Sequence, residues 1–317
     1  TLAMRRTLFV ATTEALPVLE CSSSTAVAAT ERRRLERYLA ESGIDRPDQW
    51  LAQAFEQVLG VLDGRGLPAR QITPLAPLLA TRITMGAGTK NVVEVGATSR
   101  VLGLMAVEGL LARGRPGGGW TGRQYTWHRR DQWIPLPTDP PTTEAAATEL
   151  IRRWLARFGP GTMTDLRWWT GWTAAKTKAA LGQLDVTEVS LDGQLGFVLS
   201  DDADEVTPPD PWVALLPALD PSPMGWKERD WYLGDHGPEL FDPNGNIGPT
   251  VWVDGRIVGG WGQDRTGQVT TALLEKVPAQ RRRAIDDAAG RMQAFVGEVT
   301  VKPSFPTPLQ KRLSERD

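Results

Sequence analysis

Apolar residues recur at helical spacing in two stretches of the chain, and a pattern typical of a β-hairpin follows each stretch. Thr73 and Pro74 are expected to begin the second helix of the first stretch, as its N-cap and first residue. This order of elements is typical of a winged helix-turn-helix unit. The elements predicted in the first stretch are helices over 49–62, 73–80 and 97–111, a glycine-rich turn over 114–120 and a strand over 123–129.

The same order recurs downstream. Asp192-Gly193 favours a tight turn between the last two elements of this repeat. The repetition predicts two winged helix-turn-helix units, over 49–135 and 142–204, with a proline-rich linker between them. Helical hairpins also occur in proteins that never contact DNA, so the repeat alone does not establish DNA binding. The elements of the second unit are helices over 147–158, 164–169 and 173–184, the last capped by Thr173, and strands over 186–191 and 194–200.

The C-terminal third of the chain predicts a sheet followed by a helix. Short β-type runs over 250–253 and 256–259 flank Asp254-Gly255, a dipeptide that tolerates the positive φ angles of a type I′ turn. The fold class is therefore α+β: tandem winged helix-turn-helix units, a β-rich C-terminal segment over 205–317, and a terminal helix. That helix is predicted over 279–298, with an inward face made by Ile285, Ala289, Met292, Phe295 and Val296.

Composition favours a soluble, cytoplasmic protein without a bound cofactor. The chain has 317 residues, 41% of them hydrophobic, which suffices for two or three domains. It contains neither an apolar run of the roughly 18 residues that a membrane span needs nor a secretory signal. Cys21 is the only cysteine and neither histidine lies in a metal-binding motif, so no metal site is predicted.

Charge is distributed unevenly, although the net charge is only −2. Residues 1–140 and 276–317 each carry a net charge of +4, whereas residues 205–275 carry −7. A protein this close to neutral needs its cationic side chains on one surface to bind DNA phosphates at physiological salt.

Winged-helix geometry selects candidate DNA contacts. The second helix of each pair enters the major groove, and the wing touches the backbone or the minor groove. For each candidate, the alternative is simple solvation of an exposed face. The candidates are Arg100, Arg113, Arg115, Arg123, Arg129 and Arg130 in the first unit, and Lys176 and Lys178 in the second.

One group among the 13 tryptophans has the character of a surface site. Trp226, Lys227, Arg229 and Trp231 interleave aromatic and charged side chains, a composition found at binding surfaces. Aromatic side chains of this kind can stack on an extruded base. The alternative is packing in the core, the ordinary reason for tryptophan in helical and strand patterns.

Three motifs connect the C-terminal third to a known family. They are LLPALDP, MGWKERDW and GPTVWVDGRIVGGW, all between residues 215 and 261. With them the chain resembles bacterial winged-helix DNA-binding proteins related to the AlkZ/YcaQ-type DNA glycosylases. The resemblance implies a duplex DNA partner and excision of alkylated or crosslinked bases.

The first residues extend the resemblance. AMRRTLFV is similar to the late strand of the family's first winged-helix unit, although Arg6 and Phe9 replace the family's usual Gly and His. Residues 1–48 are therefore expected to be the remnant of a first unit whose preceding helices are missing. The family's catalytic Gln-x-Gln or Gln-x-Asp pair is not found in the matching place. The literal match Gln183-Leu-Asp185 ends a predicted helix and is interpreted as coincidence.

Three functions stay open at this point. The first is a DNA-binding relative of the DNA glycosylases, with or without excision activity. The second is a non-catalytic transcriptional or architectural DNA-binding protein, and the third is a protein-docking scaffold. The sequence identifies no catalytic residue.

Overall fold

The computed structural model describes residues 1–88, 90, 92–117, 121–122, 124–134, 138–301 and 303–315. The chain forms two compact units. The first consists of Thr1–Arg153 and Thr170–Leu184, and the second of Trp154–Trp169 and Asp185–Asp317. The finer division predicted from the sequence, into 1–48, 49–135, 142–204 and 205–317, is a different partition and stays a prediction.

Helices contribute most of the regular structure. A π-helical turn, Glu20–Ser24, joins the first two into one continuous helical segment. The helices are α1 Leu16–Leu19, α2 Thr25–Glu41, α3 Pro47–Val61, α4 Ala69–Ile72, α5 Thr98–Val107, α6 Arg130–Trp133, α7 Thr143–Phe158, α8 Met163–Thr170, α9 Ala174–Leu181, α10 Asp230–Leu233, α11 Gly237–Leu240, α12 Ala279–Val296 and α13 Pro308–Ser314.

The strands form small antiparallel sheets. In spatial order the sheets of the first unit are β1-β5-β4 and β2-β3, and those of the second are β6-β8-β7 and β12-β11-β10-β9. This mixture of helix and antiparallel sheet confirms the α+β class. The strands are β1 Leu67–Pro68, β2 Arg82–Met85, β3 Val93–Gly96, β4 Leu111–Gly117, β5 Gln124–Arg129, β6 Gly161–Thr162, β7 Val186–Leu191, β8 Gln194–Leu199, β9 Val213–Leu216, β10 Thr250–Val253, β11 Arg256–Gln263 and β12 Val269–Leu273.

Helix α3 confirms the amphipathic helix predicted over 49–62. Pro47 lies in its first turn, where a missing backbone N–H costs no hydrogen bond. Leu51, Ala54 and Val58 are fully buried and pack in the core of the first unit with residues of α2 and α5. Each buried Leu or Val contributes roughly 2 kcal/mol relative to leaving it exposed.

The prediction of a helix over 73–80 is wrong in both the starting residue and the helix type. Helix α4 begins at Ala69, and the chain continues through two short 3₁₀ turns, Thr73–Leu75 and Pro77–Ala80. Thr73 lies inside this helical run, so its hydroxyl donates back to the Ala69 carbonyl instead of capping a new helix.

The helix predicted over 97–111 is shorter than expected. Helix α5 ends at Val107, and Gly109 has a φ of 78°, a conformation that glycine adopts without strain. Leu111 then starts strand β4, in a stretch where the sequence predicts only a glycine-rich turn. Strand β5 confirms the strand predicted over 123–129, with Leu111 opposite Arg129 in the register.

The strand expected at the N-terminus does not form. Met4–Arg6 is a 3₁₀ turn, closed by an amide hydrogen bond from Ala3 to the Thr7 carbonyl. Leu2 and Leu8 form an isolated antiparallel bridge, and Thr1 and Phe9 exchange backbone hydrogen bonds in both directions beside it. The alternation of residue types is that of a strand, but the backbone reverses at Met4–Arg6, so only a short antiparallel pairing forms in place of the expected strand.

Several elements of the predicted second repeat are confirmed. Helices α7, α8 and α9 follow in the expected order, and the Thr173 side chain accepts a hydrogen bond from the Lys176 amide as the cap of α9, which ends at Leu181 rather than 184. Strands β7 and β8 pair across Asp192 and Gly193, whose φ angles of 50° and 86° suit the predicted tight turn.

In the second unit, β10 and β11 pair across Asp254-Gly255, as predicted. Ile285 and Ala288 of helix α12 pack on this sheet. Phe295, predicted to face inward, is 81% exposed. Helix α13 has no counterpart among the predicted elements; a reciprocal capping box at Thr307 starts it. None of the described helices is long and apolar enough to cross a membrane.

Candidate nucleic-acid interface

The first unit contains a cleft of about 800 Å³. It is lined by the N-terminal turn, helices α2 and α5, strands β4 and β5 and helix α6, and we call it the arginine cleft. Four of the arginines predicted from the sequence as DNA contacts lie in it, on three different elements. They are Arg100, Arg113, Arg115 and Arg130.

Positive charge exceeds negative charge in the arginine cleft. Its lining includes six arginines and two glutamates, and the two further arginines are Arg6 and Arg34. Arg6 Nε lies 2.6 Å from Glu31 Oε1, and Arg34 Nη1 lies 3.3 Å from the same oxygen. The second glutamate of the cleft, Glu20, pairs with the buried Arg130. Both glutamates of the cleft are therefore already paired within it.

Arg130 forms the buried end of this cluster. Its side chain is 8% exposed and pairs with Glu20 through Nη1. Its Nε is buried without a hydrogen-bond partner. An orphaned buried donor of this kind costs about 1–3 kcal/mol.

Arg113, Arg115 and Arg100 differ from Arg130. In the described part of the chain none of the three has an acidic partner. The Arg113 guanidinium lies over the Trp127 ring, 4.9 Å from its centroid, and 5.7 Å from that of Tyr125. These contacts hold a cation in place without neutralising it.

The predicted contact Arg129 lies outside the arginine cleft. Its Nη2 is 2.6 Å from Asp131 Oδ2, and its Nη1 is 3.4 Å from Asp63 Oδ1. The hydrogen bond from Arg129 lowers the pKa of Asp131. Arg129 would therefore have to break its ion pairs with Asp131 and Asp63 to contact DNA. Arg123, also predicted, lies outside the described residues.

The two lysines of helix α9 have different environments. Lys176 Nζ donates to the Ser22 carbonyl at 2.6 Å and lies 4.3 Å from the centroid of the Trp172 ring. Burial lowers the pKa of Lys176. Lys178 is exposed. Of the pair, Lys178 has the geometry of a side chain free to meet a phosphate.

In the second unit, a buried carboxylate organises the predicted Trp226–Trp231 patch. Asp165 Oδ1 accepts the amides of Lys227 and Glu228 at 2.7 and 3.0 Å. Asp165 Oδ2 accepts the amide and the hydroxyl of Thr162 at 3.0 and 2.8 Å. This carboxylate fixes the backbone of the patch from beneath.

The tryptophans of the patch are not equivalent. Trp226 packs edge-on against Trp154, Phe158 and Tyr232, with ring centroids 5.2–6.3 Å apart. Such packing is characteristic of a core. Trp231 is 58% exposed. Lys227 is exposed as well, so the patch presents these two side chains outward while Trp226 supports them.

Arg229 is held between two aromatic rings. Its guanidinium carbon lies 5.1 Å from the centroid of Trp168 and 4.7 Å from that of Phe241. Its Nη1 is buried without a hydrogen-bond partner. Burial also raises the pKa of the neighbouring Tyr232, whose hydroxyl donates to the Pro223 carbonyl. Arg229 is thus packed between aromatic rings and is not a freely exposed cation.

Sequence reasoning missed the acidic and aromatic residues of the arginine cleft, among them Glu20, Glu31 and Tyr38. No local pattern marks them, because tertiary packing brings them to the cleft. Asp165 did carry a signal: Thr162-x-x-Asp165 before a helix is a capping-box pattern, and the reciprocal bonds form. No group of three potential metal ligands occurs among the described residues.

Comparison with known proteins gives a consistent result. The sequence model of the family described as "DNA glycosylase AlkZ-like" matches residues 1–295. The solved structure of the Streptomyces sahachiroi DNA glycosylase AlkZ is similar with a TM-score of 0.70 and 22% identity, over 95% of this chain and 80% of that one.

A curated relative is similar over a shorter stretch. The "Interstrand DNA cross-link repair glycosylase" of Streptomyces sahachiroi is 29% identical over 130 residues. The match covers 38% of this chain and 35% of that relative.

Proposed function

The chain belongs to the DNA glycosylase AlkZ-like family, and on this premise we propose that it binds duplex DNA and prefers damaged DNA. One observation carries the proposal: Arg100, Arg113 and Arg115 converge on one cleft in which both glutamates are already paired. Cations without acidic partners are the side chains that gain most from meeting phosphates.

The order of elements supports a winged-helix mode of binding. Helices α3, α4 and α5 precede the hairpin of β4 and β5, and helices α7, α8 and α9 precede that of β7 and β8. In this proposal α5 and α9 are the recognition helices, so Arg100 and Lys178 face the major groove. The hairpins are the wings, with Arg115 on the first.

Excision is the second part of the proposal. The relative's name assigns it to repair of interstrand cross-links, and we propose the same class of substrate for this chain. The product of base excision is an abasic site, so a repair protein of this class is expected to bind abasic DNA more tightly than intact DNA. A transcriptional or architectural protein has no reason to do so. The proposed site of action is the cytoplasm.

The test is a competition experiment read by fluorescence anisotropy. An abasic-site duplex and its intact counterpart compete for the full chain at several salt concentrations. At least a tenfold preference for the abasic duplex, with affinity falling steeply as salt rises, supports the proposal. Equal affinities favour a regulator or an architectural protein. Salt-insensitive or absent binding favours a docking scaffold.

A second assay addresses chemistry directly. A duplex with one defined interstrand cross-link is incubated with the full chain, and unhooking is followed on a denaturing gel. Release of the strands assigns excision to this chain. If the strands stay linked while abasic DNA is still preferred, the chain recognises damage without removing it.

A further inference from the structure

We propose that the second unit docks an acidic peptide segment of another protein, which adds to the sheet beside strand β9. The groove that receives the peptide runs between β9 and helix α12, and we call it the edge groove. It is lined by Val213–Leu215 of β9 and by Ala288, Arg291, Met292 and Phe295 of α12. The inference goes beyond the proposed function and does not depend on it.

Strand β9 leaves one edge of its sheet open. It is the last strand in the order β12-β11-β10-β9, so no strand of the described residues pairs with its outer side. The Asp254 amide donates to the Trp212 carbonyl at 3.1 Å, which sets the alternation of the antiparallel ladder. The amides and carbonyls of Val213 and Leu215 therefore point away from β10. An open edge of this kind pairs readily with an extended chain.

Helix α12 turns this edge into a groove. Leu215 packs with Ile285 and Ala288, and Val213 packs against the same cluster, so both side chains lie on the α12 face of the sheet. In an antiparallel pair, residues directly opposite each other have their side chains on the same face. The peptide residues that hydrogen-bond with Val213 and Leu215 therefore direct their side chains into the groove.

The volume and lining of the edge groove suit the apolar side chains of a peptide. The volume is about 230 Å³, below the roughly 300–1,000 Å³ of small-molecule sites. Phe295 in the lining is 81% exposed, and Met292 is partly exposed. Aromatic and methionine side chains are enriched at protein interfaces. An open strand edge with a shallow apolar groove fits the addition of a peptide strand to a sheet.

Charge selects an acidic peptide. Arg291 is exposed, and no acidic side chain pairs with it in the part of the chain that the structure describes. Helix α12 contains four arginines and two aspartates, a net charge of +2. A carboxylate beside the apolar residues of the peptide would thus meet a guanidinium group that is not yet neutralised.

The same charges argue against a second copy of this chain as the occupant. Antiparallel pairing of two β9 edges requires a two-fold axis perpendicular to the sheet, so both α12 helices would lie on one face of the joined sheet. Each helix carries a net charge of +2, and the two helices would repel each other. An acidic peptide meets attraction at the same place.

The experiment measures binding of labelled peptides to the full chain by fluorescence anisotropy. The first peptide is Glu-Thr-Val-Thr-Val-Thr-Glu, and two others have Leu or Phe in place of both valines. Alternation places the glutamates and the apolar residues on one face. At least one peptide should bind, and its counterpart with lysine for glutamate should bind roughly tenfold more weakly. Absence of binding by all three up to about 1 mM overturns the proposal, as does equal affinity of the glutamate and lysine peptides.

Backbone methylation tests the strand pairing directly. N-methylation of the two apolar residues removes the peptide amides that face β9, so it should abolish binding. N-methylation of two threonines removes amides that point away from β9, so most of the affinity should remain. If the two methylated peptides bind alike, the peptide does not pair with β9 and the proposal is wrong.

A charge reversal assigns binding to the edge groove. Arg291→Glu should reverse the preference, so that the lysine peptide binds more tightly than the glutamate peptide. Arg282→Glu makes the same change of charge at an exposed position of α12 outside the groove lining, and it should leave the preference intact. A preference that responds equally to the two variants contradicts the placement of the peptide.

A second pair of variants tests the edge itself. Val213→Pro removes an outward amide without breaking a hydrogen bond to β10, and proline is tolerated at such positions of edge strands. It should abolish binding, whereas Val213→Ala keeps the amide and should keep most of the affinity. Urea unfolding verifies that each variant is folded. Unchanged binding by a folded Val213→Pro variant overturns the proposal.

Two further results would assign the edge groove to another occupant. If the full chain sediments as a dimer that Val213→Pro converts to a monomer, the occupant is a second copy. If duplex DNA displaces the bound peptide, the groove belongs to a DNA-binding surface. Either result overturns the peptide proposal. Neither concerns the arginine cleft, so failure of this inference leaves the proposed function standing.

Discussion

Arg130 forms an ion pair with Glu20, although 110 positions separate them in the sequence. The pair joins the π-helical turn Glu20–Ser24 to the start of helix α6. Its arginine is almost completely buried, so the pair fixes the floor of the arginine cleft.

Glu20→Gln is expected to destabilise the protein by about 3 kcal/mol, because it leaves the Arg130 charge buried without its counter-ion. The measurement is urea unfolding followed by circular dichroism. Glu41→Gln is the control: it breaks the exposed pair with Arg37, for which a loss below about 1 kcal/mol is expected. Equal losses in the two variants would contradict the structural role of Arg130.

Asp165→Ala should destabilise the second unit by about 3 kcal/mol, because four hydrogen bonds to a buried carboxylate disappear together. Unfolding followed by tryptophan fluorescence reports this, since Trp226 lies beside the anchored segment. Asp264 is a suitable control. It also accepts several hydrogen bonds, but in an exposed turn, so Asp264→Ala should cost about 1 kcal/mol or less. Similar losses would show that burial of Asp165 does not matter.

Acid sensitivity is expected at Glu149. Hydrogen bonds from Arg152 and Arg153 lower its pKa from 4.5 to about 2. A carboxylate whose pKa is lowered by folding contributes stability that is complete well above pH 4.5 and is lost as the pH falls towards 2. Because solvent reaches and screens all three side chains, the contribution is at most about 1 kcal/mol.

Glu149→Gln therefore lowers the free energy of unfolding at pH 7, and the difference from the unsubstituted chain shrinks as the pH falls through 4.5 and is mostly lost near pH 2. The measurement is urea unfolding at several pH values. A difference that stays constant with pH would mean that the ion pairs do not cause the loss. Added salt should shrink the difference at pH 7.

The two lysines of helix α9 give a paired test of the DNA proposal. Lys178→Gln should flatten the salt dependence of duplex binding by about 0.9, the slope of one lost phosphate contact. Lys176→Gln should leave the slope unchanged, because Lys176 Nζ is bound to the Ser22 carbonyl. Anisotropy titrations over a salt series measure both. A larger change in salt slope for Lys176→Gln than for Lys178→Gln would mean that Lys176, and not Lys178, makes the phosphate contact.

Local patterns predict those elements whose stability is local. The apolar face of α3 and the Asp254-Gly255 turn follow from spacing and turn chemistry, and both are confirmed. Strand β4 escapes prediction because its Arg, Gly and Pro content is not that of a strand; it forms because β5 pairs with it. The prediction for the N-terminal segment fails in the opposite way. Its alternation of residue types predicts a strand, but Met4–Arg6 forms a 3₁₀ turn.

The candidate site is predictable only in part. Charge and the winged-helix pattern select Arg100, Arg113, Arg115 and Arg130, which the structure brings to one cleft. The pattern also selects Arg129 and Lys176, whose acidic and carbonyl partners include groups far away in the sequence. Which cations are free depends on those distant partners, and no local motif contains that information.

The arginine cleft also determines when the proposed binding site can form during synthesis of the chain. Its lining residues extend from Thr1 and Leu2 to Trp133 and Ile134. A nascent chain that has released helix α2 but not α5 and β5 exposes Leu35, which is buried in the core of the first unit in the folded protein. Because domains generally fold as units during synthesis, the ribosome must deliver Ile134 before the cleft exists. Fragments that stop earlier would be prone to aggregate rather than to bind weakly.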